Sequence, residues 1–501
     1  MDRYTRSEPA QAGPRRFFAA SLLASTALVF PVGGCAPSGA SIGPSDRAGQ
    51  AGRARLLWYV PPPDARPSTA CDTPLCTSLL EVLDGAQRRL DLAFYGVRGA
   101  PAVIKAIERA RTRGVRVFGV VDRTADGTNI YRDTDAFVTH LDRVADDGSY
   151  ERKMARNAKR RRPSPGPDRC PRPPGTKGPL QCSVYDLGDR CLFAAQAADE
   201  PFTTAGAIMH DKFALADARA LWTGSANVSD TGIGGYNANV VIRIDDTAVG
   251  ERFRAYFDDL LRGRFHAPPE PGRPPPPVHP IEGGSVQVFF APRDRPMTRG
   301  LRPVIRAARE RIDVAVFFLT HKLLAQDLID AHTRGVRVRV VLDATGARNA
   351  YSKHAVLRAA GIPVKVEDLG GKMHMKATAV DGAVVVAGSM NYTGAGERAN
   401  DENLLVLRHP ALARKMHDAY DALYDALGEH TLSQTPDPES HQSGSACSDG
   451  IDNDHDGRID GDDPGCSEPS APPPVLLWSA PKPPGAACHD GAWPTTAPIG
   501  S

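Results

Sequence analysis

From Arg53 onward the chain alternates between two hydrophobic periods. Apolar runs at LLWYV (56–60), LDLAFYGV (90–97) and VRVFGVVD (115–122) predict strands. Between them, SLLEVLDGAQ (78–87) and PAVIKAIERARTRG (101–114) carry apolar residues at helical spacing, the second stopping at Gly114. After a Pro-rich stretch at 267–280 the order restarts: VQVFF (286–290), a helix through IRAARER, IDVAVFFL (312–319), a helix through LAQDLIDAHTRG (324–335) and VRVRVVLD (336–343). TRGVRVFGVVD at 112 nearly repeats as TRGVRVRVVLD at 333, which marks an internal duplication. Strands alternating with helices predict an α/β protein of two similar halves, each a parallel or mixed sheet flanked by helices.

The pattern sets the boundaries. Residues 53–266 and 281–430 are the expected halves, with linkers at 36–52, 267–280 and 431–446, a small acidic module at 447–466 and a Pro-rich tail at 467–501. The first 35 residues differ: Arg15 and Arg16 precede an apolar run, 17–32, that is short for a membrane span and reads as a secretory signal. The run closes on VGGC (32–35), which resembles a lipobox with Cys35 as the lipidated residue. Export, as an outer-membrane or cell-surface lipoprotein or as a secreted protein, is the expectation. Without Cys35, eight cysteines remain of nine, an even number that fits disulfides in an exported chain; Cys71 with Cys76 and Cys447 with Cys466 are close enough in sequence to suggest pairs. A formal net charge of +2 gives no global field that would name a polyanionic partner.

One difference separates the halves. Asp122 precedes His210 by 88 residues and Asp343 precedes His374 by 31, so the first half carries an insertion of 57 residues, expected within about 143–200. It contains RKMARNAKRRR (152–162), either a solvated excursion or a basic lip for phosphate-bearing substrates or anionic membranes. In the acidic module, Asp452, Asp454, Asp456 and Asp463 stand at positions 1, 3, 5 and 12 of a calcium loop, with Gly457 at position 6. A structural calcium ion is the expectation there.

The candidate chemistry is a doubled motif. HDKFALADARALWTGSAN begins at 210 and HMKATAVDGAVVVAGSMN at 374, both obeying H-x-K-x4-D-x6-G-S-x-N. Histidine is a competent nucleophile and proton carrier near neutral pH, and a lysine two residues on shares its face of a strand. His210, Lys212, Ser225 and Asn227 together with His374, Lys376, Ser389 and Asn391 offer two ammonium groups and several hydrogen-bond donors to one phosphoryl group. No metal is required for that chemistry. Asp217 and Asp381, the third motif members, are better suited to bracing a local turn than to touching substrate.

HDKFALAD with GSAN and HMKATAVD with GSMN resemble the doubled HKD signature of the phospholipase D superfamily, over roughly residues 53–430. The resemblance implies a pseudodimer with both motifs at the interface of the halves, catalytic His210, Lys212, Asp217, His374, Lys376 and Asp381, and a covalent phosphohistidine. Glu402, 28 residues after His374, would hold that imidazole, while the corresponding position after His210 is read as Ala238. A carboxylate partner suits a proton donor, so His210 is expected as nucleophile and His374 as acid and base. The implied substrate is a phospholipid or another phosphodiester, with hydrolysis or transfer of phosphatidyl groups and a membrane surface as partner. An exported nuclease acting on nucleic acid is the alternative. A cardiolipin synthase-like transferase, whose multiple membrane spans are not visible here, and an inactive surface-binding protein rank lower. No obligate protein partner is inferred.

Overall fold

The computed structural model describes residues 52–158, 170–178, 180–197, 207–454, 456–468, 471–482 and 484–488. The signal segment with Cys35, the linker to residue 51, Lys159–Arg162 of the basic run and the last residues of the tail lie outside them.

Among the described residues the first half builds a seven-stranded sheet in the order Arg53–Tyr59, Asn239–Asp245, Ala220–Gly224, Lys212–Ala216, Arg89–Phe94, Arg116–Val121, Arg143–Asp146. The second half repeats it: Gly284–Ala291, Glu402–Arg408, Val384–Gly388, Lys376–Val380, Arg311–Val316, Arg337–Leu342, Val364–Val366, with Val278–Ile281 added at the outer edge. In each, the strand before the crossover helix runs parallel to the strand after it, as a helical connection requires, and antiparallel to the motif strand. Pro101–Thr112 and Lys322–Thr333 are those helices.

The motif spacing follows from the hairpin each copy forms. Lys212–Ala216 and Lys376–Val380 are five-residue strands, and the motif aspartates take the first central position of the turn that follows. Asp217 (φ 54°) with Ala218 (φ 53°), and Asp381 (φ 53°) with Gly382 (φ 58°), place both central residues of the turn in the left-handed region, and a third residue, Arg219 or Ala383, closes the turn onto the carbonyl of Ala216 or Val380 before the strands pair. The motif glycines end the return strands: a Cβ at Gly224 would lie 2.2 Å from the Val240 carbonyl oxygen, and one at Gly388 2.2 Å from that of Asn403.

The two sheets share a core. Helices Thr247–Leu261 and Pro410–Ala426 bury Phe253, Phe257, Met416 and Tyr420 in one cluster with Phe213 of the first sheet and Phe290 and Leu405 of the second. Two short backbone bridges close the interface, Met209 with Asp401 and Ala238 with Met373, each next to a motif histidine or its partner.

Several expected boundaries shift. Arg143–Asp146 pairs with Arg116–Val121 and corresponds to Val364–Val366, so the insertion begins after it, not at 143. Its hairpin, Leu180–Asp186 with Arg190–Ala197, packs Tyr185, Leu192 and Ala194 into the core of the second half. The tail does not run free there: Val475–Pro481 adds a third strand to that hairpin, and Cys191–Cys488 ties it down. The stretch after 430 is packed too, with Asp437, Glu439, Ser440 and Ser443 buried. Cys71–Cys76 and Cys447–Cys466 are bonded as their closeness suggested, and Cys170–Cys182 joins the insertion to itself. Among the described residues no helix is long and apolar enough to cross a membrane.

Candidate active site

Both histidines precede their motif strands at the seam, where each backbone is held by the other half. His210 N–H donates to the Asp401 carbonyl (2.9 Å) and His374 N–H to the Ala238 carbonyl (2.9 Å). The preceding residues are braced from behind: Met209 N–H donates to Asp122 (2.9 Å) and Asp147 (3.0 Å), and Met373 N–H to Asp343 (2.9 Å). Burial and the Asp147 charge push the Asp122 carboxyl up to about 9. Burial likewise raises Asp343, beside Glu367.

The side chains cross the seam as well. His210 Nδ1 lies 2.9 and 2.8 Å from Glu402 Oε1 and Oε2, and His374 Nδ1 lies 3.3 Å from Asn239 Oδ1. Each half thus supplies the group that orients the other half's imidazole. This corrects the expectation that Glu402 holds His374. The register also shows why: Glu402 opens its strand opposite Ala291 and Asn239 opens its own opposite Tyr59, so Asn239, not Ala238, is the counterpart of Glu402. A one-residue difference in the loop before the strand concealed it.

A carboxylate or an amide oxygen accepts only, so both Nδ1 atoms carry the proton and both Nε2 atoms are left for chemistry. The motif serines fix those acceptors: Ser389 Oγ donates to Glu402 (2.7 Å) and Ser225 Oγ to Asn239 (2.8 Å). Their expected role as substrate ligands is therefore corrected, because each hydroxyl proton is already used. Asn400 adds a third contact to Glu402 at 3.2 Å. Asn227 donates to the Tyr131 hydroxyl (2.9 Å), and Asn227 and Asn391 each keep a buried amide oxygen with no partner among the described residues.

Lys212 and Lys376 are fully buried and fold back so that Nζ donates to the carbonyls of His210 (2.5 Å) and His374 (2.7 Å). They stand over the rings of Tyr95 (5.0 Å) and Phe317 (4.9 Å), which also meet His210 and His374 at 5.2 and 5.1 Å. These aromatic rings were not singled out in the sequence, although Tyr95 and Phe317 each stand one residue beyond the end of equivalent strands. Burial brings Lys212 down to about 7 and Lys376 well below the usual lysine range, while it pushes Glu402 up to about 8. Burial first, then the lysine charges, hold both histidines well below their ordinary value. An anion placed among these groups would return protons to the lysines.

Asp217 and Asp381 lie at the far ends of the motif strands, about 16 Å away at the usual rise per residue. Asp217 accepts the N–H groups of Gln87, Arg88 and Arg89, and Asp381 those of Arg309, Glu310 and Arg311, all at 2.8–2.9 Å. They brace the turn before the central strand, as the residues themselves suggested, and the catalytic role that the resemblance implied for them is corrected. Asp211 ties the halves instead, accepting from Tyr256 Oη and Asn403 Nδ2, both at 2.7 Å.

Comparisons with known proteins identify the family. The family model described as "Cardiolipin synthase, PLD-like domain" matches residues 79–261 and 301–424, which spans both halves. A mitochondrial cardiolipin hydrolase of Xenopus tropicalis is 31% identical over 147 residues, 29% of this chain and 70% of that protein. A phospholipase D of Rickettsia bellii is 32% identical over 133 residues, covering 26% of this chain and 66% of that one. Among solved structures, the phospholipase D family member Nuc of Salmonella typhimurium is 28% identical and covers 28% of this chain and 95% of its own, with a TM-score of 0.27. The chain belongs to the phospholipase D-like family of phosphodiesterases.

Proposed function

We propose that the protein is an exported phosphodiesterase of phospholipase D type that hydrolyses phosphatidyl esters through a phosphohistidine on His210. The observation that carries this is the unequal cross-pairing, His210 with a carboxylate and His374 with an amide. Nε2 of His210 attacks phosphorus as the P–O bond to the head-group alcohol breaks. The imidazole, now bonded at Nε2 and still protonated at Nδ1, is cationic; that adjacent charge favours the ionised form of Glu402, which burial alone pushes up to about 8, and the carboxylate stabilises the cation in return. His374, held neutral by burial and the lysine charges, takes up a proton as the phosphodiester charge enters and gives its Nε2 proton to the leaving alkoxide. Asn239 orients it without charge and so leaves it a ready donor. Neutral His374 then takes a proton from water, whose oxygen displaces His210 and releases the phosphatidic acid; an alcohol in place of water gives transfer. Lys212 and Lys376 neutralise the phosphoryl oxygens, the work a metal performs elsewhere, so catalysis itself calls for none. The reason for making His210 the nucleophile is therefore the reverse of the sequence argument.

Support for a lipid substrate comes from relatives named phospholipase D and cardiolipin hydrolase, and from the aromatic rings of Tyr95 and Phe317 beside the motif histidines. The four disulfides among the described residues support an oxidising compartment, and the VGGC ending at Cys35 is the sequence feature behind the lipid anchor. One observation favours a nuclease instead: helix Gly148–Ala158, which starts directly after the Asp147 that holds Met209 N–H, exposes Arg152, Lys153 and Arg156. Full-length protein and its His210→Ala variant, incubated in calcium-containing buffer with vesicles of phosphatidylcholine and cardiolipin and separately with plasmid DNA, separate the two. Phosphatidic acid formed by the wild type alone, without nicking, is expected; nicking without lipid cleavage assigns the nuclease.

A further inference from the structure

We infer that residues 452–463, with Glu439, form a calcium site that pins the C-terminal segment against the rim of the catalytic seam. The carboxylates of Asp454, Asp456 and Asp463 approach within 4.8 Å of one another, and so do those of Glu439, Asp452 and Asp454, so Asp454 is shared by both groups. Mutual repulsion at that range disfavours the arrangement unless a cation or protons sit among the oxygens. Asp463 supplies the independent observation. It is only 2% exposed, its Oδ1 accepts from Gly465 N–H, and its buried Oδ2 has no partner among the described residues while its carboxylate faces those of Asp454 and Asp456. A buried carboxylate oxygen without a donor is costly, and a cation removes the cost.

The ligand chemistry selects the ion. All the side chains are hard oxygen donors, they come from a loop with positions 1, 3, 5 and 12 filled, and Gly457 at position 6 has φ 95°, the sharp turn such a loop makes. Glu439 comes from outside the loop and is fully buried, accepting Asn453 N–H and Asp460 N–H, so it joins the loop to the packed stretch after residue 430. That number of carboxylates suits Ca²⁺, which takes six to eight oxygens, better than Mg²⁺, which keeps its waters.

The site reaches the seam through two contacts. The Asn453 carbonyl accepts from Lys372 Nζ (3.1 Å) and from Thr345 Oγ1 (3.1 Å), and Lys372 is two residues from His374. On the other half, Tyr236 Oη bonds Asp449 and lies 3.0 Å from Ser445 Oγ, two residues from Ala238, whose carbonyl receives the His374 N–H. The ion therefore fixes a loop that touches both sides of the bridge between Ala238 and Met373.

The test uses the full chain with its disulfides intact, stripped with EDTA and dialysed. Titration with CaCl₂ by calorimetry is expected to show one ion per chain, with Kd at or below about 10⁻³ M as for extracellular calcium modules, and weaker Mg²⁺ binding. Asp454→Asn should weaken Ca²⁺ binding at least about tenfold, and Asp462→Asn, outside the ligand groups, should not. Hydrogen exchange should slow on Ca²⁺ addition in 449–463 and also in 369–373. No saturable Ca²⁺ binding by the wild type up to about 10 mM overturns the site. Binding indifferent to Asp454→Asn overturns the ligand set, and protection confined to 449–463 overturns the link to the seam.

Discussion

Glu402 of the second half grips His210 of the first, both carboxylate oxygens within 2.9 Å of Nδ1. A motif histidine therefore takes its working tautomer only when the other half is docked. Glu402→Gln preserves shape and the Ser389 contact while removing the charge that stabilises a phosphorylated imidazolium. Turnover should fall by about 10²–10⁴-fold with little change in KM. Asn239→Ala should cost less, on the order of 10-fold to 10²-fold, because it removes orientation and no charge. Steady-state kinetics on one soluble diester checks both, and equal losses would count against the unequal roles.

Asp217 and Asp381 make an opposite pair of predictions, although they belong to the same motif. Each satisfies three backbone N–H groups that would otherwise be unpaired. Asp217→Ala should destabilise the fold by about 1–3 kcal/mol and leave turnover per folded molecule unchanged. Denaturant unfolding followed beside activity distinguishes this from a catalytic loss.

The buried lysines predict proton uptake. Lys212 sits at about 7, against 10.5 for a free lysine, because burial outweighs the pull of Glu402, Asp211 and Asp122. Its depressed value costs stability as pH falls from 10.5 towards 7, where the unfolded chain is protonated and the folded one is not. An anion reverses this by raising the folded value. Sulfate, which has no titrating proton of its own at pH 8, should bind with net proton uptake, seen as a calorimetric enthalpy that differs between Tris and HEPES. An enthalpy independent of buffer would contradict a neutral Lys212.

Much of the fold was legible because it is local. The alternation of periods 2 and 3.6, the duplicated TRGVRV segment and the doubled motif located both sheets, both crossover helices and the four residues His210, Lys212, His374 and Lys376. What failed is long-range. Which imidazole Glu402 would hold depends on the seam, and that geometry has no local signature. The motif distance from His374 to Glu402 looked like a contact within one half, yet strand register sends the carboxylate across. The Asn239 counterpart was missed by one residue, because a loop changed length between the halves. Ser225 and Ser389 looked like phosphate ligands by composition, but the hydroxyl of each faces the group that opens the neighbouring strand. The tail strand Val475–Pro481 escaped notice because its partner belongs to the insertion, nearly 300 residues away in sequence.

The division of labour between the two histidines is tested most directly by trapping the intermediate. His374→Ala retains the nucleophile and removes the proton relay that hydrolyses the adduct. Incubated with a diester bearing a good leaving group, which needs no acid, and quenched under basic conditions, it should carry a phosphoryl adduct that peptide mass spectrometry maps to His210. His210→Ala should carry none. An adduct on His374 in the His210→Ala protein, with none on His210 in the His374→Ala protein, would contradict the account and reverse the roles.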